Sequence, residues 1–341
     1  MSDPEENIKQ QPIAVLGAGS FGTALAILLA NNGNQTVLWG RDPTQVKSLN
    51  SERLNRKYLP STPLPQALRI TDDFKDAVSG VKDILMVTPS YAFSSTLKRL
   101  KPLVEKDVRI VWACKGLEPE SSEFLQNRVL ELFGEQCPKA ILSGPTFARE
   151  LADGSPTAIT LAADDGQFAA DLSARLVNQT FRVYLSSDLK GVQFGGAFKN
   201  IVAIGAGIAD GLGFGSNART ALITRGLAEM MRMGEKLGGR PETFTGMAGL
   251  GDLILTCTDD QSRNRRFGLA LGSGKSMEEA AKAIGQVVEG VRNTKEVFHL
   301  AQMHSVDMPI CQAIYNILYL GQDPKLAARE LLTRSMKVEG D

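Results

Sequence analysis

Lys199 and Asn200, with Gln193 ahead of them, are the polar interruptions in an otherwise apolar or small-residue run from Val192 to Ala209. A lysine buried among such neighbours loses hydration, and full burial lowers an ammonium pKa by up to ~3 to 5 units. Tuned that way, Lys199 is a proton donor to a carbonyl oxygen and an acceptor from an alcohol near neutral pH. The plainer alternative is a lysine that lays its stem along apolar surface and keeps its head in water. The choice matters because the chain has two histidines, His299 and His304, both late in a helical stretch, which leaves few candidates for the usual imidazole base.

Ser262-Arg263-Asn264-Arg265-Arg266 is the densest cationic run of the chain. Arginine forks beside small polar donors suit a phosphate monoester. A solvated helix start and a weak nucleic-acid patch are the alternatives, and the lack of interleaved aromatics speaks against the second. Asp252, within Gly249-Leu250-Gly251-Asp252-Leu253, is the one acid between Glu242 and Asp259. It is either a polar anchor in a site or the N-cap of the helix that follows. Lys115 sits just beyond an apolar run in Cys114-Lys115-Gly116, and reads as a ligand for a cofactor or an anionic substrate, or else as a solvated loop lysine. Gln286-Val287-Val288-Glu289-Gly290 is a short turn with no meaning by itself.

These side chains need elements to hold them, and the plainest element is Ile13 to Ala30. Four apolar or small residues form a buried strand, Gly17-x-Gly19-x-x-Gly22 forms a tight turn, and an Ala/Leu run without a breaker forms a helix. Gly17 permits the turn, Gly19 lets a pyrophosphate approach the backbone, and Gly22 lets helix pack on strand. The helix N-terminus then offers unpaired N–H groups to an anion. The bare glycine pattern is equally an ordinary turn, and its setting between strand and helix points to a dinucleotide site.

Thr36 to Trp39 is a second strand, closed by Gly40-Arg41-Asp42. A ribose-binding acid belongs near the end of this strand, and here the position holds glycine followed by arginine, which suits a 2′-phosphate and favours NADP over NAD. Arg41-Asp42-Pro43 also reads as a helix start with Asp42 as N-cap, and both readings hold together. Asp83 to Val87, Arg109 to Ala113 and Lys139 to Leu142 are apolar strands, while Pro43 to Asn55 is a helix and Tyr58 to Pro65 a proline-punctuated loop. Strands apolar on both faces and alternating with helices make a parallel sheet covered on both sides, with ligands beyond the strands' carboxyl ends. After about residue 190 helical periodicity dominates, with Gly205 to Gly215 expected as a glycine-rich connection. The expected division is a flexible leader over 1–12, a nucleotide-binding domain over 13–190 and an all-helical domain over 191–341.

Lys and Arg together number 38, as do Asp and Glu, so the chain lacks the electrostatic footprint of a nucleic-acid or anionic-membrane binder. The Val192 to Ala209 run reads as a buried helix and not a membrane span, because Lys199 in its middle is costly in lipid. Cys114, Cys137, Cys257 and Cys311 lie far apart and have no histidine nearby, so they read as reduced thiols with no metal site.

Taken in order, these motifs resemble the bacterial-type NAD(P)-dependent glycerol-3-phosphate dehydrogenases, from about Ile13 to Leu332. The resemblance rests on the glycine turn, Trp39-Gly40-Arg41-Asp42, Cys114-Lys115-Gly116-Leu117, Ser143-Gly144-Pro145-Thr146-Phe147-Ala148, Phe198-Lys199-Asn200, Gly249 to Leu253, Ser262-Arg263-Asn264 and Val287-Val288-Glu289-Gly290. It implies an α/β fold: a Rossmann-type parallel sheet followed by a helical domain like the C-terminal domain of 6-phosphogluconate dehydrogenase. It implies reversible hydride transfer between NAD(P)H and dihydroxyacetone phosphate, giving sn-glycerol 3-phosphate for phospholipid synthesis in the cytoplasm. By matching motif, Gly17, Gly19, Ser20, Phe21, Gly22, Arg41 and Ala148 hold the cofactor, with Val287 and Glu289 closing over it and Lys115 and Arg263 touching both cofactor and substrate. Gly144, Thr146, Asp252, Ser262 and Asn264 hold the glycerol phosphate, and Lys199 moves the proton. Phe21 departs from the Trp or Tyr common at its position, and many members form homodimers. The competing expectations are a two-domain reductase of β-hydroxyacid or ketopantoate type, where the arginine cluster clamps a carboxylate, and a non-catalytic NADPH sensor.

Overall fold

The structure, a computed structural model, describes residues 8–119 and 121–333. The described chain forms two compact units that divide between Gln193 and Phe194. Residues 1–7 of the expected leader lie outside the described residues. Its remainder is tied down, since Gln35 N donates to Lys9 O at 3.3 Å and Arg175 Nη1 donates to Gln11 O at 3.0 Å.

The first unit runs β1 (Ile13–Leu16), α1 (Ser20–Asn31), β2 (Thr36–Trp39), α2 (Pro43–Glu52), β3 (Leu54–Asn55), β4 (Leu59–Pro63), β5 (Arg69–Thr71), α3 (Phe74–Val78) and β6 (Asp83–Met86). It continues with α4 (Phe93–Leu100), β7 (Arg109–Trp112), α5 (Leu125–Phe133), β8 (Lys139–Ser143), α6 (Ala148–Ala152), β9 (Thr157–Ala163), α7 (Gly166–Leu176) and β10 (Phe181–Ser186). Eight strands form one sheet in the order β10-β9-β8-β7-β6-β1-β2-β5. All pairs are parallel except β8 with β9. Each residue of β1, β2, β6 and β7 is buried, as expected of parallel strands covered on both faces.

The antiparallel junction departs from the expected all-parallel sheet. Ser143 at the end of β8 pairs with Thr160 in the middle of β9, so the connection between the two strands stays at the carboxyl edge of β8. That connection carries Gly144, Thr146 and Ala148. The proline-rich stretch expected as a loop contains β4, which pairs antiparallel with β3 as a separate two-stranded ribbon. Such a ribbon tolerates Pro60 and Pro63 because each strand has a free edge where a missing N–H costs nothing.

The described part of the second unit is helical after α8 (Leu189–Gly211), within which the units divide. There follow α9 (Gly215–Lys236), α10 (Pro241–Thr245), a π-helical turn (Met247–Gly251), α11 (Asp252–Thr258), α12 (Arg263–Gly272), α13 (Met277–Ile284), α14 (Glu289–His304), α15 (Pro309–Leu320) and α16 (Pro324–Leu332). α8 is long and apolar enough to cross a membrane, and 94% of its most apolar window is buried inside the protein. Gly205, Gly207 and Gly211 belong to this helix and are not part of a connection, which shortens to Leu212–Phe214. Their lack of side chains brings α12 close: a Cβ on Gly207 would lie 2.0 Å from Arg265 O, and one on Gly268 would lie 2.0 Å from Ile204 O. Backbone therefore packs on backbone along this pair.

Candidate functional site

In the first unit the strand order reverses between β1 and β6, and ligands of open α/β sheets bind beyond the strand ends at such a switch. Gly17 follows β1 with φ of +129°, and a Cβ there would lie 2.6 Å from Val87 O, just past β6. A Cβ on Gly22 would lie 1.9 Å from Gly17 O, so helix and turn touch directly. Gly19 is different: a Cβ there would meet nothing within 4 Å. Gly19 is the N-cap of α1 and offers no side-chain cap, which leaves the first-turn N–H groups, Ser20 and Phe21 among them, directed at an open space. A pyrophosphate fits that cradle in charge and room.

Asp42 is the N-cap of α2, accepting from Thr44 N at 2.9 Å, so its carboxylate serves the helix while the neighbouring Arg41 is exposed. Lys115, beyond β7, lies with its ammonium 5.7 Å from the centre of the Phe21 ring. The aromatic at this position thus braces a cation, a role any aromatic face can fill. Thr146 donates to Ala158 O at 3.5 Å, Gly144 packs 3.1 Å (as a built Cβ) from Ile159 Cα, and Ala148 opens α6.

In the second unit Lys199 is buried, with its side chain 5% exposed, and its Nζ is hydrogen-bonded to Asp252 Oδ1. The sequence suggests a lysine tuned by desolvation; the structure adds a carboxylate as buried as the lysine, which supplies the counter-charge that a buried ammonium requires. Asp252 is the first residue of α11 and not its N-cap, which is Gly251. The π-helical turn before it aims that carboxylate at Lys199. It can do so because a Cβ on Gly195 would lie 2.7 Å from Ala248 O, and one on Gly249 would lie 2.1 Å from Phe244 O. Thr256, one turn on, donates to Asp252 O at 2.6 Å.

Asn264 Nδ2 donates to Asn200 Oδ1 at 2.8 Å, and Gly290 N donates to Asn264 Oδ1 at 2.9 Å. Ser262 is the N-cap of α12 and accepts from Arg265 N. Arg263 Nη1 donates to Gln286 Oε1 at 3.2 Å. The expected triple-arginine phosphate cluster is reduced: Arg265 is buried and pairs with Asp210 at 2.5 Å and with Asp260, while Arg266 is exposed. Asp210 also holds Arg219 at 2.8 Å, so Arg265 belongs to a structural ion network. Val287 is 39% exposed just ahead of α14, and Glu289 is in that helix's first turn.

Asn200, Thr256, Gln286 and Gly290 are the residues that sequence reasoning left without a role. Adjacency to Lys199 was the available signal for Asn200; Thr256 shows at i+4 from Asp252, and the other two have no local signal. The four cysteines are free and buried. Burial pushes the Cys137 thiol up to about 11. Among the described residues no group of three His, Cys, Asp or Glu side chains could hold a metal ion.

Comparison with known proteins gives the family. Sequence models of the NAD-dependent glycerol-3-phosphate dehydrogenase N-terminus and C-terminus match residues 12–169 and 188–329. Glycerol-3-phosphate dehydrogenase (NAD(P)+) of Colwellia psychrerythraea is 57% identical over 96% of this chain and 98% of its own length. The Vibrio vulnificus relative of the same name is 56% identical over 97% and 96%. A crystal structure of glycerol-3-phosphate dehydrogenase from Coxiella burnetii superposes with a TM-score of 0.93 at 50% identity, covering 96% of this chain and 100% of that one. A ketopantoate reductase from Ralstonia eutropha, at 16% identity and a TM-score of 0.60 over 93% and 100%, shares the fold alone. The chain belongs to the NAD-dependent glycerol-3-phosphate dehydrogenase family.

Proposed function

We infer that this chain is an NAD(P)-dependent glycerol-3-phosphate dehydrogenase, moving hydride reversibly between NAD(P)H and dihydroxyacetone phosphate to give sn-glycerol 3-phosphate. The observation that carries the chemistry is a buried lysine paired to a buried carboxylate, on the same helix as the asparagine that holds Asn264 beside Ser262 and Arg263. Ketone reduction needs one proton at a developing alkoxide and a clamp for the substrate phosphate, and these residues supply both.

The proposed contacts of the dinucleotide are Gly17, Gly19, Ser20, Phe21, Gly22, Arg41, Lys115, Ala148, Arg263, Val287 and Glu289. When bound, its nicotinamide supplies or takes the hydride. Lys199 places its ammonium proton at the C2 oxygen as the carbonyl is reduced, and receives it back from the alcohol in the reverse direction. Asp252 stabilises the protonated lysine between turnovers and orients its donors. Ser262, Arg263 and Asn264 bind the phosphate, with Gly144, Thr146, Asp252 and Lys115 contributing to the substrate pocket. Arg41 faces the 2′-phosphate of NADP, which makes NADP the favoured cofactor. The product feeds phospholipid assembly in the cytoplasm, and the working form is a homodimer without membrane insertion.

Replacing Lys199 with Ala tests the assignment: turnover of dihydroxyacetone phosphate is abolished while NADPH still quenches or shifts protein fluorescence with an unchanged Kd. Near-normal turnover in that variant overturns the role of Lys199. Equal oxidation of glycerol 3-phosphate, 3-hydroxyisobutyrate and pantoate by the wild-type chain overturns the substrate.

A further inference from the structure

Asn264 and Asn200 lie in a chain of hydrogen bonds whose two ends are backbone groups. Gly290 N donates to Asn264 Oδ1 at 2.9 Å, Asn264 Nδ2 donates to Asn200 Oδ1 at 2.8 Å, and Asn200 Nδ2 donates to Gly196 O at 3.3 Å. A backbone N–H cannot accept and a carbonyl cannot donate, so the direction of the whole chain is fixed. Asn200 and Asn264 are 4% and 9% exposed, and Gly290 is buried. Neither amide can flip without leaving a buried polar group against its own kind.

Gly290 is the second residue of α14, a position whose N–H has no acceptor within its own helix. The side chain of Asn264 is therefore its partner by default, and the fit leaves no room for a substituent. A Cβ at 290 would lie 2.7 Å from Asn200 O and 2.8 Å from both Asn264 Oδ1 and Ile204 Cδ1. The first of these is backbone, which cannot swing aside.

We propose that Gly290 is a positioning residue for substrate recognition: its N–H fixes Asn264 so that the amide's remaining N–H, and not its oxygen, is presented to the substrate phosphate. The inference rests on the reading of Asn264 as a phosphate ligand. A phosphate brings acceptors alone, so a flipped Asn264 would set lone pair against lone pair. The same bond ties the segment bearing Val287 and Glu289 to the phosphate ligands, which gives that short turn a meaning it lacks in isolation.

The test compares kcat/KM for dihydroxyacetone phosphate with that for dihydroxyacetone, which lacks the phosphate. In Gly290→Ala the ratio falls by about tenfold or more, through the KM of the phosphorylated substrate, beyond any common factor that displacement of the Asn200 backbone beside Lys199 imposes on both substrates. A merely structural lesion lowers both by one factor, and a ratio unchanged from wild type overturns the proposal. A wild-type chain without preference for the phosphorylated substrate removes instead the reading on which the proposal rests. Should Gly290→Ala not fold, hydrogen exchange at the Gly290 amide of the full wild-type chain decides the matter. Protection is expected despite the first-turn position, and is expected to vanish in Asn264→Ala. Exchange at the solvent rate in the wild type, or protection that survives Asn264→Ala, overturns the proposal.

Discussion

Each unit buries a cation against a carboxylate, and the two arrangements are built for opposite ends. In the first unit Asp83 opens β6 and Arg109 opens β7, paired in register at the amino edge of the sheet. Asp83, fully buried, accepts from Arg109 Nη2 at 2.8 Å and lies 3.0 Å from Arg175 Nε. Arg109 also reaches Asp171, and Arg175 donates to Asn34 Oδ1 at 3.1 Å. Burial lowers the pKa of Arg175, yet a guanidinium starts so high that it keeps its proton in any folded protein. At the candidate site of the second unit, apart from the arginine network at Asp210, the cation is a lysine, whose proton can leave. An arginine cluster at the amino edge is a fixed-charge staple, whereas a lysine pair is a place where a proton can be exchanged.

Substitution of Lys199 by Met is the largest expected effect. It removes the transferable proton and leaves Asp252 buried, so kcat falls by about 10³ to 10⁴. Stability also falls, since breaking a buried pair from one side costs about 3–5 kcal/mol. Stopped-flow hydride transfer and urea denaturation on the same variant separate the two losses. The contrast with the staple breaks if hydride transfer is retained.

Asp83→Ala is next. Two buried guanidinium groups lose their shared partner, and the expected cost is again about 3–5 kcal/mol. The folded enzyme at low temperature keeps its wild-type kcat and KM, because the amino edge of a parallel sheet is remote from ligands bound at the carboxyl edge. A kinetic defect as large as the stability defect would erase the division between staple and proton carrier.

Glu229 sharpens the comparison from a third side, being a buried carboxylate without a buried cation. Its oxygens accept from Ile310 N at 2.6 Å and Cys311 N at 3.2 Å, capping α15 from α9. Burial raises its pKa from 4.5 to about 7, against the opposing pull of those two N–H groups. The folded state therefore binds the proton more tightly than the unfolded state. Glu229 contributes its stability in full below pH 4.5 and loses it as pH rises through about 7, a change of about 3 kcal/mol from a shift of this size. Urea midpoints from pH 4.5 to 8 should show that decline in the wild type and a flatter profile in Glu229→Gln. Identical profiles would mean that the two backbone donors hold the carboxylate ionised.

Much of this was legible in the sequence, and what escaped did so for a physical reason. The turn Gly17 to Gly22 declares itself because its glycines lie together between a strand and a helix, where Gly17 needs a positive φ and Gly22 packs on Gly17 five residues back. Lys199 was visible because an ammonium among apolar neighbours contradicts its surroundings. The partner set was not: Asp252 lies 53 residues from Lys199, and Gly290 lies 26 from Asn264. Pairings across such distances are fixed by helix packing, which glycine-to-backbone contacts such as Gly207 on Arg265 O determine. Those glycines look like a flexible connection when read in order. The amino-edge cluster was missed for the same reason, since Asp83 and Arg109 open strands and Arg175 lies in the last turn of α7, where charge is unremarkable. Arg265 shows the reverse error, a residue credited to phosphate binding from its neighbours and claimed in the structure by Asp210.

The smallest expected effect concerns a cation with no buried partner at all. Arg41 is exposed, and the acid next to it, Asp42, is committed to the N-terminus of α2 through Thr44 N. Nothing in that arrangement moves a proton or holds two strands together, so Arg41→Ala should leave both stability and kcat unchanged. On the proposal that Arg41 meets the 2′-phosphate of NADP, what it removes is that guanidinium, and an exposed charge-assisted contact of this kind is worth about 1–1.5 kcal/mol. The KM for NADPH should therefore rise by about tenfold while that for NADH moves by less than about twofold. Because the contact is open to solvent, the difference should shrink as ionic strength increases, which no substitution at the buried pairs should imitate. Equal losses with both cofactors would place Arg41 on the shared pyrophosphate, and a salt-independent loss would mean that it is buried when the cofactor binds.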